Sequence, residues 1–234
     1  MIAVITGATG AIGQQICREF ARHGIDVAVC YNRREAEAQA LAAELARSVR
    51  AVAVGLSLED PTSIARAFDY IHSVFGHVDY LVNNAGISLI KPLLDTTPDE
   101  WQRMLAVNLT SAYYTCRQVL PKMYHTGGSI LNVSSMWGSL GASCEVAYAT
   151  AKAGLEGFTR SLAEEYAGTV RVNAVAPGFV ISPMNAHLTP EEVEEFFRDN
   201  PTMRPITPEE VATLCYQVAT DPTKTGQIVP LGWE

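Results

Sequence analysis

The segment IAVITGATGAIG, residues 2–13, contains the pattern that decides the fold. Its β-branched start predicts a buried strand, and the glycines that follow predict a turn into a helix. Gly7 suits the tight turn, Gly10 lets a ligand approach the backbone, and Gly13 lets the helix pack closely against a sheet. A helix that begins at such a turn presents free N–H groups and a positive dipole end to a pyrophosphate. The segment therefore predicts a dinucleotide-binding unit, and the alternative is a merely flexible turn.

Strands and helices alternate along the rest of the chain. Further strands are predicted at 26–30, 51–54, 79–83, 129–133, 170–176 and 226–230, and helices at 11–23, 34–47, from Pro61 onward, 98–124, 147–166 and 208–220. We expect the helix at 98–124 to bend near Pro121. The alternation predicts right-handed βαβ units and hence an α/β protein with a doubly wound parallel sheet. We expect a single domain over 1–234 with a small lid insertion at 177–205, which contains an acidic helix near 190–199.

Composition and charge exclude several classes of protein. A chain of 234 residues buries a core without disulfides or metal, and a net charge of −8 lacks the basic footprint of a nucleic-acid binder and disfavours an anionic membrane surface. No apolar run is long enough to span a membrane, and a strand at the start leaves no room for a signal peptide. The five scattered cysteines are typical of reduced thiols and not of a metal site. We expect a cytoplasmic protein.

The end of the second predicted strand indicates which dinucleotide binds. An NAD site places an acidic residue there to bind the ribose 2′-hydroxyl, whereas this chain reads Cys-Tyr-Asn-Arg-Arg over 30–34. Asn32, Arg33 and Arg34 suit a 2′-phosphate instead, because guanidinium groups bind phosphate in a bidentate geometry. The alternative is that the arginines form a solvated first turn of the next helix. We expect NADP(H) in preference to NAD(H).

Tyr148 and Lys152 form a candidate catalytic pair. They lie four residues apart on a predicted helix, so both side chains face the same side. A cation beside a phenol lowers the pKa of the phenol, which a phenolic general acid needs near neutral pH. Ser135 follows the strand at 129–133 and precedes the tyrosine by thirteen residues. A Tyr-x-x-x-Lys pair is common on helix surfaces, so the pair does not identify a site by itself.

Several motifs together resemble those of the short-chain dehydrogenases/reductases, in the classical branch of that family. They are TGATGAIG (6–13), NNAG (83–86), VNLT (107–110), NVSSMWG (132–138), YATAK (148–152), RVNAVAPG (171–178) and ISPM (181–184). The resemblance covers nearly the whole chain and implies a Rossmann-type fold, an oxidoreductase activity and a nicotinamide dinucleotide cofactor. Gly10 followed by Ala11 matches the extended branch, which includes sugar epimerases, but the short chain and the NNAG motif favour the classical branch.

The resemblance also implies a role for each matching residue. Tyr148 would donate the proton, Lys152 would bind the nicotinamide ribose and tune the tyrosine, Ser135 would hold the carbonyl oxygen, and Asn108 would anchor a proton-relay water. The implied cofactor contacts are Gly7, Thr9, Gly10, Ile12, Gly13, Asn32, Arg33, Arg34, Leu58, Asn84, Ala85, Gly86, Tyr148, Lys152, Pro177, Gly178, Val180 and Ser182. The leucine is included because Ser57 stands where the family usually has the acid that meets the adenine. No metal ligand is implied.

By resemblance, the nearest subfamily is that of the β-ketoacyl-acyl-carrier-protein reductases. This resemblance implies NADPH-dependent reduction of a ketone, which is either a small molecule or attached to a protein. The arginines that such enzymes present to an acidic carrier are replaced at Thr126 and Gly168-Thr169, and the net charge of −8 also disfavours that carrier. Family resemblance further implies a homotetramer or a homodimer.

Two alternative functions remain open. Residues 134–154 and 184–188 are similar to reductases that act on a 5-aminopentanone adduct on a lysine of elongation factor P. The four glutamates within 191–195 would suit the amine of such a substrate, although they also fit a solvated helix face whose N-terminal acids favour the helix dipole. A non-catalytic dinucleotide-binding sensor on the same fold is the other alternative.

Overall fold

A parallel sheet forms the centre of the molecule in the computed structural model, which describes residues 1–182, 185 and 188–233. Its seven described strands are β1 (Ile2–Ile5), β2 (Asp26–Tyr31), β3 (Ala51–Gly55), β4 (Tyr80–Asn83), β5 (Gly128–Val133), β6 (Val170–Pro177) and β7 (Ile228–Leu231). They are ordered β3-β2-β1-β4-β5-β6-β7, and every neighbouring pair is parallel. The chain therefore reverses direction across the sheet between β1 and β4, as in a Rossmann-type doubly wound fold. The predicted fold class is confirmed.

Helices cover both faces of the sheet. The described helices are α1 (Ala11–Arg22), α2 (Glu35–Leu45), α3 (Pro61–Phe75), α4 (Pro98–Leu105), α5 (Ser111–Thr126), α6 (Met136–Leu140), α7 (Val146–Glu165), α8 (Pro190–Asp199) and α9 (Pro208–Thr220). On one face α1, α2 and α9 pack against Ile5 and Val29, and on the other α3, α5 and α7 pack against Val4 and Leu81. The strands are apolar on both sides because both faces are buried.

The predicted long helix over 98–124 is interrupted, but not where the sequence suggested. A π-helical turn at Ala106–Thr110 separates α4 from α5, and α5 continues through Pro121 to Thr126. The prediction of a bend near the proline is therefore corrected: the interruption lies at the π-helical turn. Such turns frequently mark functional positions.

The predicted lid contributes the acidic helix α8. Its N terminus is closed by a capping box in which Thr189 and Glu192 exchange hydrogen bonds. Positions 183, 184, 186 and 187, which belong to two of the matching stretches, lie outside the described residues. The single-domain boundary stays a prediction. Within the described part of the chain, no helix is long and apolar enough to cross a membrane.

Candidate active site

A cleft of about 910 Å³ opens at the carboxyl ends of the strands, where an open parallel sheet binds its ligands. Its lining includes all but one of the residues predicted for the site. These are Gly7, Thr9, Gly10, Ile12, Gly13, Asn32, Arg33, Arg34, Leu58, Asn84, Ala85, Gly86, Ser135, Tyr148, Lys152, Pro177, Gly178, Val180 and Ser182. The remaining one, Asn108, is buried behind the cleft wall.

The glycine turn after β1 is held in shape by the loop after β4. Asn84 Nδ2 donates hydrogen bonds to the carbonyls of Thr6 (2.9 Å) and Gly7 (3.2 Å). Thr6 Oγ1 in turn accepts from the backbone N–H groups of Asn84 and Ala85, both at 3.1 Å. A Cβ at Gly13 would lie 2.8 Å from Asn84 Nδ2 and closer still to the carbonyl oxygen of Gly7. Glycine at position 13 therefore permits the close packing that the sequence predicted.

The start of α1 fits a pyrophosphate. Gly10 is its N-cap residue, no side chain caps the first turn, and that turn carries no acidic residue. Gly7 has a φ of 63°, which favours glycine, and a Cβ there would lie 2.7 Å from Ala85 Cα. Free N–H groups, a positive helix end and a turn without side chains form an anion site open to the cleft.

Asn108 fixes the loop that forms the middle of the cleft wall. The N–H of Ile87 donates to Asn108 Oδ1 (3.0 Å), and Asn108 Nδ2 donates to the carbonyl of Ile87 (2.9 Å). A Cβ at Gly86 would lie 2.7 Å from Asn108 Oδ1 and 3.6 Å from Lys152 Nζ. The π-helical turn thus places the asparagine directly behind the loop and near the lysine, while its role as a water anchor stays a prediction.

Ser135, Tyr148 and Lys152 meet at the bottom of the cleft. Ser135 ends the segment after β5 and is the N-cap of α6, where its Oγ accepts from the N–H of Trp137 (3.2 Å). The serine side chain is also close enough to the Tyr148 hydroxyl to lower its pKa. Lys152 Nζ donates to the carbonyl of Val133 (2.7 Å) and lies 5.7 Å from the centre of the tyrosine ring.

Burial dominates the ionisation of the pair. Desolvation raises the pKa of Tyr148 to about 12, against a smaller opposite effect of the hydrogen bond with Ser135. Desolvation lowers the pKa of Lys152 to about 8, and the negative charge of Glu156 partly opposes this. The pKa of Tyr148 therefore lies above its ordinary value and not, as the sequence had suggested, below it, and Lys152 is not among the groups that shift it.

The two arginines at the end of β2 differ in their surroundings. Arg34 forms an ion pair with Glu37 at 3.1 Å, whereas Arg33 forms no ion pair with any described residue. Both are exposed at the cleft mouth. Leu58 lines the cleft as predicted, while the backbone N–H of Ser57 donates to Ser63 Oγ (3.0 Å). Arg33 is thus the better placed of the two to bind an anion.

Comparison with known proteins gives the family. A sequence profile described as short chain dehydrogenase matches residues 1–193. The chain belongs to the short-chain dehydrogenase family. It is therefore an oxidoreductase that acts on CH–OH or C=O groups, and a nicotinamide dinucleotide is the cofactor that the family implies for the cleft.

Individual relatives of this short-chain dehydrogenase cover almost its full length. The 3-oxoacyl-[acyl-carrier-protein] reductase FabG of Aquifex aeolicus is 38% identical over 236 residues, which cover 97% of this chain and 94% of the relative. The enzyme of the same name from Staphylococcus aureus (strain Mu50) is 33% identical, with 97% and 94% covered. The acetoacetyl-CoA reductase of Cupriavidus necator is 36% identical, with 92% and 88% covered. The predicted resemblance to 3-oxoacyl-ACP reductases is confirmed.

An aromatic wall, formed by Trp137, Phe179 and Phe196, lines part of the cleft in this short-chain dehydrogenase. Phe196 lies 6.3 Å from Trp137 and 5.6 Å from Phe179, measured between ring centres. Phe197 packs behind it, 5.3 Å from Phe179, and does not line the cleft. Sequence reasoning missed the wall as a unit, because its members come from α6, α8 and the segment after β6 and meet only in the fold.

Acidic residues are distributed unevenly around the cleft. Glu145 lines it, and its charge contributes to the raised pKa of Tyr148. The four glutamates of α8 do not line it: Glu192 closes the capping box and Glu195 lies 3.6 Å from Arg198. The arrangement of α8 fits the solvated helix face better than a ligand site.

Proposed function

We propose that this short-chain dehydrogenase is an NADPH-dependent carbonyl reductase whose substrate is a 3-oxoacyl thioester or a similar ketone. One observation carries the proposal: the hydroxyl groups of Ser135 and Tyr148 and the ammonium of Lys152 line the same cleft as the glycine turn. A site for the dinucleotide and a proton donor are thereby within one cavity. The full-length similarity to 3-oxoacyl-ACP and acetoacetyl-CoA reductases supports the same class of substrate.

The residues at the bottom of the cleft have complementary tasks. When bound, the dinucleotide supplies the hydride. Tyr148, with a pKa of about 12, holds its proton at neutral pH and gives it to the carbonyl oxygen as the alcohol forms. Ser135, whose side chain acts on the same hydroxyl group, would donate to the same oxygen and stabilise its developing negative charge.

Lys152 has two tasks in this proposal: it binds the ribose, and it places a positive charge beside Tyr148. Its remaining N–H groups, beyond the one given to the Val133 carbonyl, would donate to the ribose hydroxyls of a bound dinucleotide. A positive charge next to Tyr148 also stabilises the phenolate that remains after the proton has moved. Asn108, through its two hydrogen bonds with Ile87, holds the loop after β4 in place.

NADPH is the proposed form of the cofactor because Arg33 is available at the end of β2. It forms no ion pair within the described chain, and no acidic residue stands at positions 30–34 to bind a ribose 2′-hydroxyl. A guanidinium at the cleft mouth matches the 2′-phosphate in charge and geometry.

An apolar acyl chain suits the aromatic wall. Trp137, Phe179 and Phe196 offer ring faces and edges but few hydrogen-bond partners, so they favour burial of apolar surface. The net charge of −8 disfavours docking of an acidic carrier protein, so a thioester that reaches the cleft without such docking fits best.

A second candidate substrate is the 5-aminopentanone adduct on elongation factor P. The observation that favours it is Glu145, which lines the cleft near Tyr148 and would attract a cationic amine. The glutamates of α8 give this candidate no support, because none of them lines the cleft.

The deciding experiment supplies NADPH to the purified protein with either acetoacetyl thioester or adduct-bearing elongation factor P and follows NADPH oxidation. Turnover of the thioester supports the first candidate, and selective turnover of the adduct supports the second. Tight binding of NADPH without turnover of any ketone would instead support the dinucleotide-binding sensor. We also propose a cytoplasmic homotetramer or homodimer, which light scattering and cell fractionation would test.

A further inference from the structure

A buried carboxylate lies on α7, the helix that carries Tyr148 and Lys152. Glu156 follows Lys152 by one turn of α7 and is 4% exposed, and the lysine is 3% exposed. Among the described residues, no lysine or arginine forms an ion pair with this glutamate. Burying a carboxylate without a cationic partner costs stability, so its presence calls for a physical reason.

Two serines hold the carboxylate in place. Ser134 Oγ donates to Glu156 Oε1 (2.8 Å), and Ser139 Oγ donates to both carboxylate oxygens (3.2 and 3.1 Å). A Cβ at Gly138 would lie 2.7 Å from Glu156 Oε1, so only glycine lets α6 approach so closely. Hydroxyl donors stabilise the charged form of a carboxylate, and they connect it to the segment that carries Ser135.

We propose that Glu156 is a positioning residue that keeps Lys152 positively charged inside the site and thereby sets the upper pH limit of ribose binding and reduction. It touches neither substrate nor cofactor and acts through the lysine. Its effect on turnover rests on the proposed function, whereas its effect on the lysine does not.

The surroundings of Lys152 support this assignment. On α7 it is flanked by Tyr148 and Glu156; β5 contributes the Val133 carbonyl, and the π-helical turn contributes the neutral amide of Asn108. Glu145, at the start of α7, acts on the tyrosine. Within the described chain, Glu156 is the group whose charge opposes the desolvation that lowers the pKa of Lys152.

The direct test measures the lysine itself. The chain has four lysines, at 91, 122, 152 and 224, so a protein labelled with ¹³C at lysine Cε gives a spectrum simple enough to titrate by NMR. Lys152→Met assigns the signal. Glu156→Gln keeps the shape and the hydrogen-bonding capacity but removes the charge. We expect the Lys152 titration midpoint to fall by about 1 pH unit or more in this variant.

Two variants separate charge from packing. Glu164→Gln removes an exposed charge from the same helix and should leave the Lys152 midpoint unchanged. Glu156→Asp keeps the charge and should retain most of the wild-type midpoint. An unchanged midpoint in Glu156→Gln, or an equal fall in Glu156→Asp, overturns the proposal. If Glu156→Gln does not fold, the charge of Glu156 can be measured in the wild-type protein from an NMR spectrum with ¹³C-labelled glutamate carboxyl groups. A protonated Glu156 at pH 7 also overturns the proposal.

Turnover gives the second readout. If the wild-type protein reduces a ketone, the pH profile of its kcat/KM has an alkaline limb. In Glu156→Gln this limb should move to lower pH, by the same amount as the lysine midpoint. A uniform loss of activity at all pH values, with the limb in place, indicates a purely structural role and contradicts the proposal. A wild-type protein without any ketone turnover contradicts the proposed function alone, and the lysine titration still decides the role of Glu156.

Discussion

Lys152 Nζ lies 5.7 Å from the centre of the Tyr148 ring and donates a hydrogen bond of 2.7 Å to the carbonyl of Val133. This bond connects α7 to the end of β5. Because both groups are desolvated, each is shifted toward its neutral form. Tyr148 therefore keeps its proton at neutral pH. Lys152 is mostly charged only below a pH of about 8.

The pH dependence of cofactor affinity should follow the lysine. Its pKa is lowered to about 8, so NADPH should bind more weakly as the pH rises through that value and the ammonium loses its proton. The unfolded chain holds this proton to higher pH than the folded chain, so this group should make the free energy of unfolding rise above pH 8. Fluorescence titration of NADPH measures the first effect and urea denaturation the second. Lys122→Met, at an exposed lysine, should change neither; the same pH profile in Lys152→Met as in the wild type would contradict this assignment.

Removal of the Tyr148 hydroxyl should abolish most of the reductase activity. Tyr148→Phe keeps the ring but loses the proton donor, and general acid catalysis contributes about 10²- to 10⁴-fold to a rate. We expect kcat to fall by that factor with NADPH affinity within a few-fold of wild type. Tyr124→Phe, which removes an exposed hydroxyl, is the matched control. Full activity of Tyr148→Phe on a ketone would show that another group supplies the proton.

Arg33 should decide the choice between NADPH and NADH. Arg33→Asp replaces the proposed phosphate ligand by a residue that suits a ribose hydroxyl, and loss of a charge-assisted hydrogen bond weakens binding about tenfold or more. The ratio of the dissociation constants for NADPH and NADH, from fluorescence titration, should move toward NADH by at least this factor. Arg47→Asp makes the same charge change at an exposed position beyond α2 and should leave the ratio as it is. An unchanged ratio in Arg33→Asp would place this arginine outside the site.

Two glycines of the same turn should respond differently to alanine. A Cβ at Gly13 meets Asn84 Nδ2 at 2.8 Å, whereas a Cβ at Gly10 meets no atom other than the Gly7 carbonyl oxygen, at 3.3 Å. Gly13→Ala should lower the free energy of unfolding by about 1–3 kcal/mol through overpacking. Gly10→Ala should change the free energy of unfolding by less than about 1 kcal/mol. It should nevertheless weaken NADPH binding, because position 10 lines the cleft. Urea denaturation measures the stability of the two variants, and cofactor titration measures their NADPH affinity. Equal losses of stability in Gly13→Ala and Gly10→Ala would contradict the proposed difference in packing.

The aromatic wall should control the preference for acyl-chain length. Phe196→Ala removes a ring that lines the cleft, so KM for a longer 3-oxoacyl thioester should rise about tenfold, with a smaller change for acetoacetyl thioester. Phe197→Ala removes the ring behind it, which packs 5.3 Å from Phe179 without lining the cleft, and serves as the control. Steady-state kinetics with a series of chain lengths provides the comparison. Equal effects of the two variants would indicate loss of lid stability and not loss of a substrate contact.

Much of the fold could be predicted because its signals are local. Alternating apolar strands and helices, the glycine turn after β1, and the four-residue spacing of Tyr148 and Lys152 are all short-range patterns, and hydrophobic periodicity reports them directly. The glycine turn and the strand-end arginines followed from the rule that ligands bind at the carboxyl ends of parallel strands, whereas most of the other site residues were implied only by the family resemblance. The short helix α6 was missed because five residues show too little periodicity, although Ser135 is a residue type typical of an N-cap.

The π-helical turn and the ionisation of the site needed tertiary structure. Sequence propensity drew attention to Pro121, whereas the interruption lies at Ala106–Thr110, where Asn108 bonds to a loop twenty-one residues earlier. The raised pKa of Tyr148 depends on how many atoms of distant segments surround its hydroxyl. Residue spacing along the chain contains no information on such desolvation.

By itself the sequence determined the order of strands and helices, the dinucleotide turn and the residues that meet at the strand ends. Tertiary structure alone decided that Glu156 is buried and held by Ser134 and Ser139, and that Trp137 meets Phe196. The physical reason is the range of the interactions. Backbone propensity and hydrophobic periodicity act over a few residues, but packing, desolvation and charge act between side chains that only the folded chain brings together.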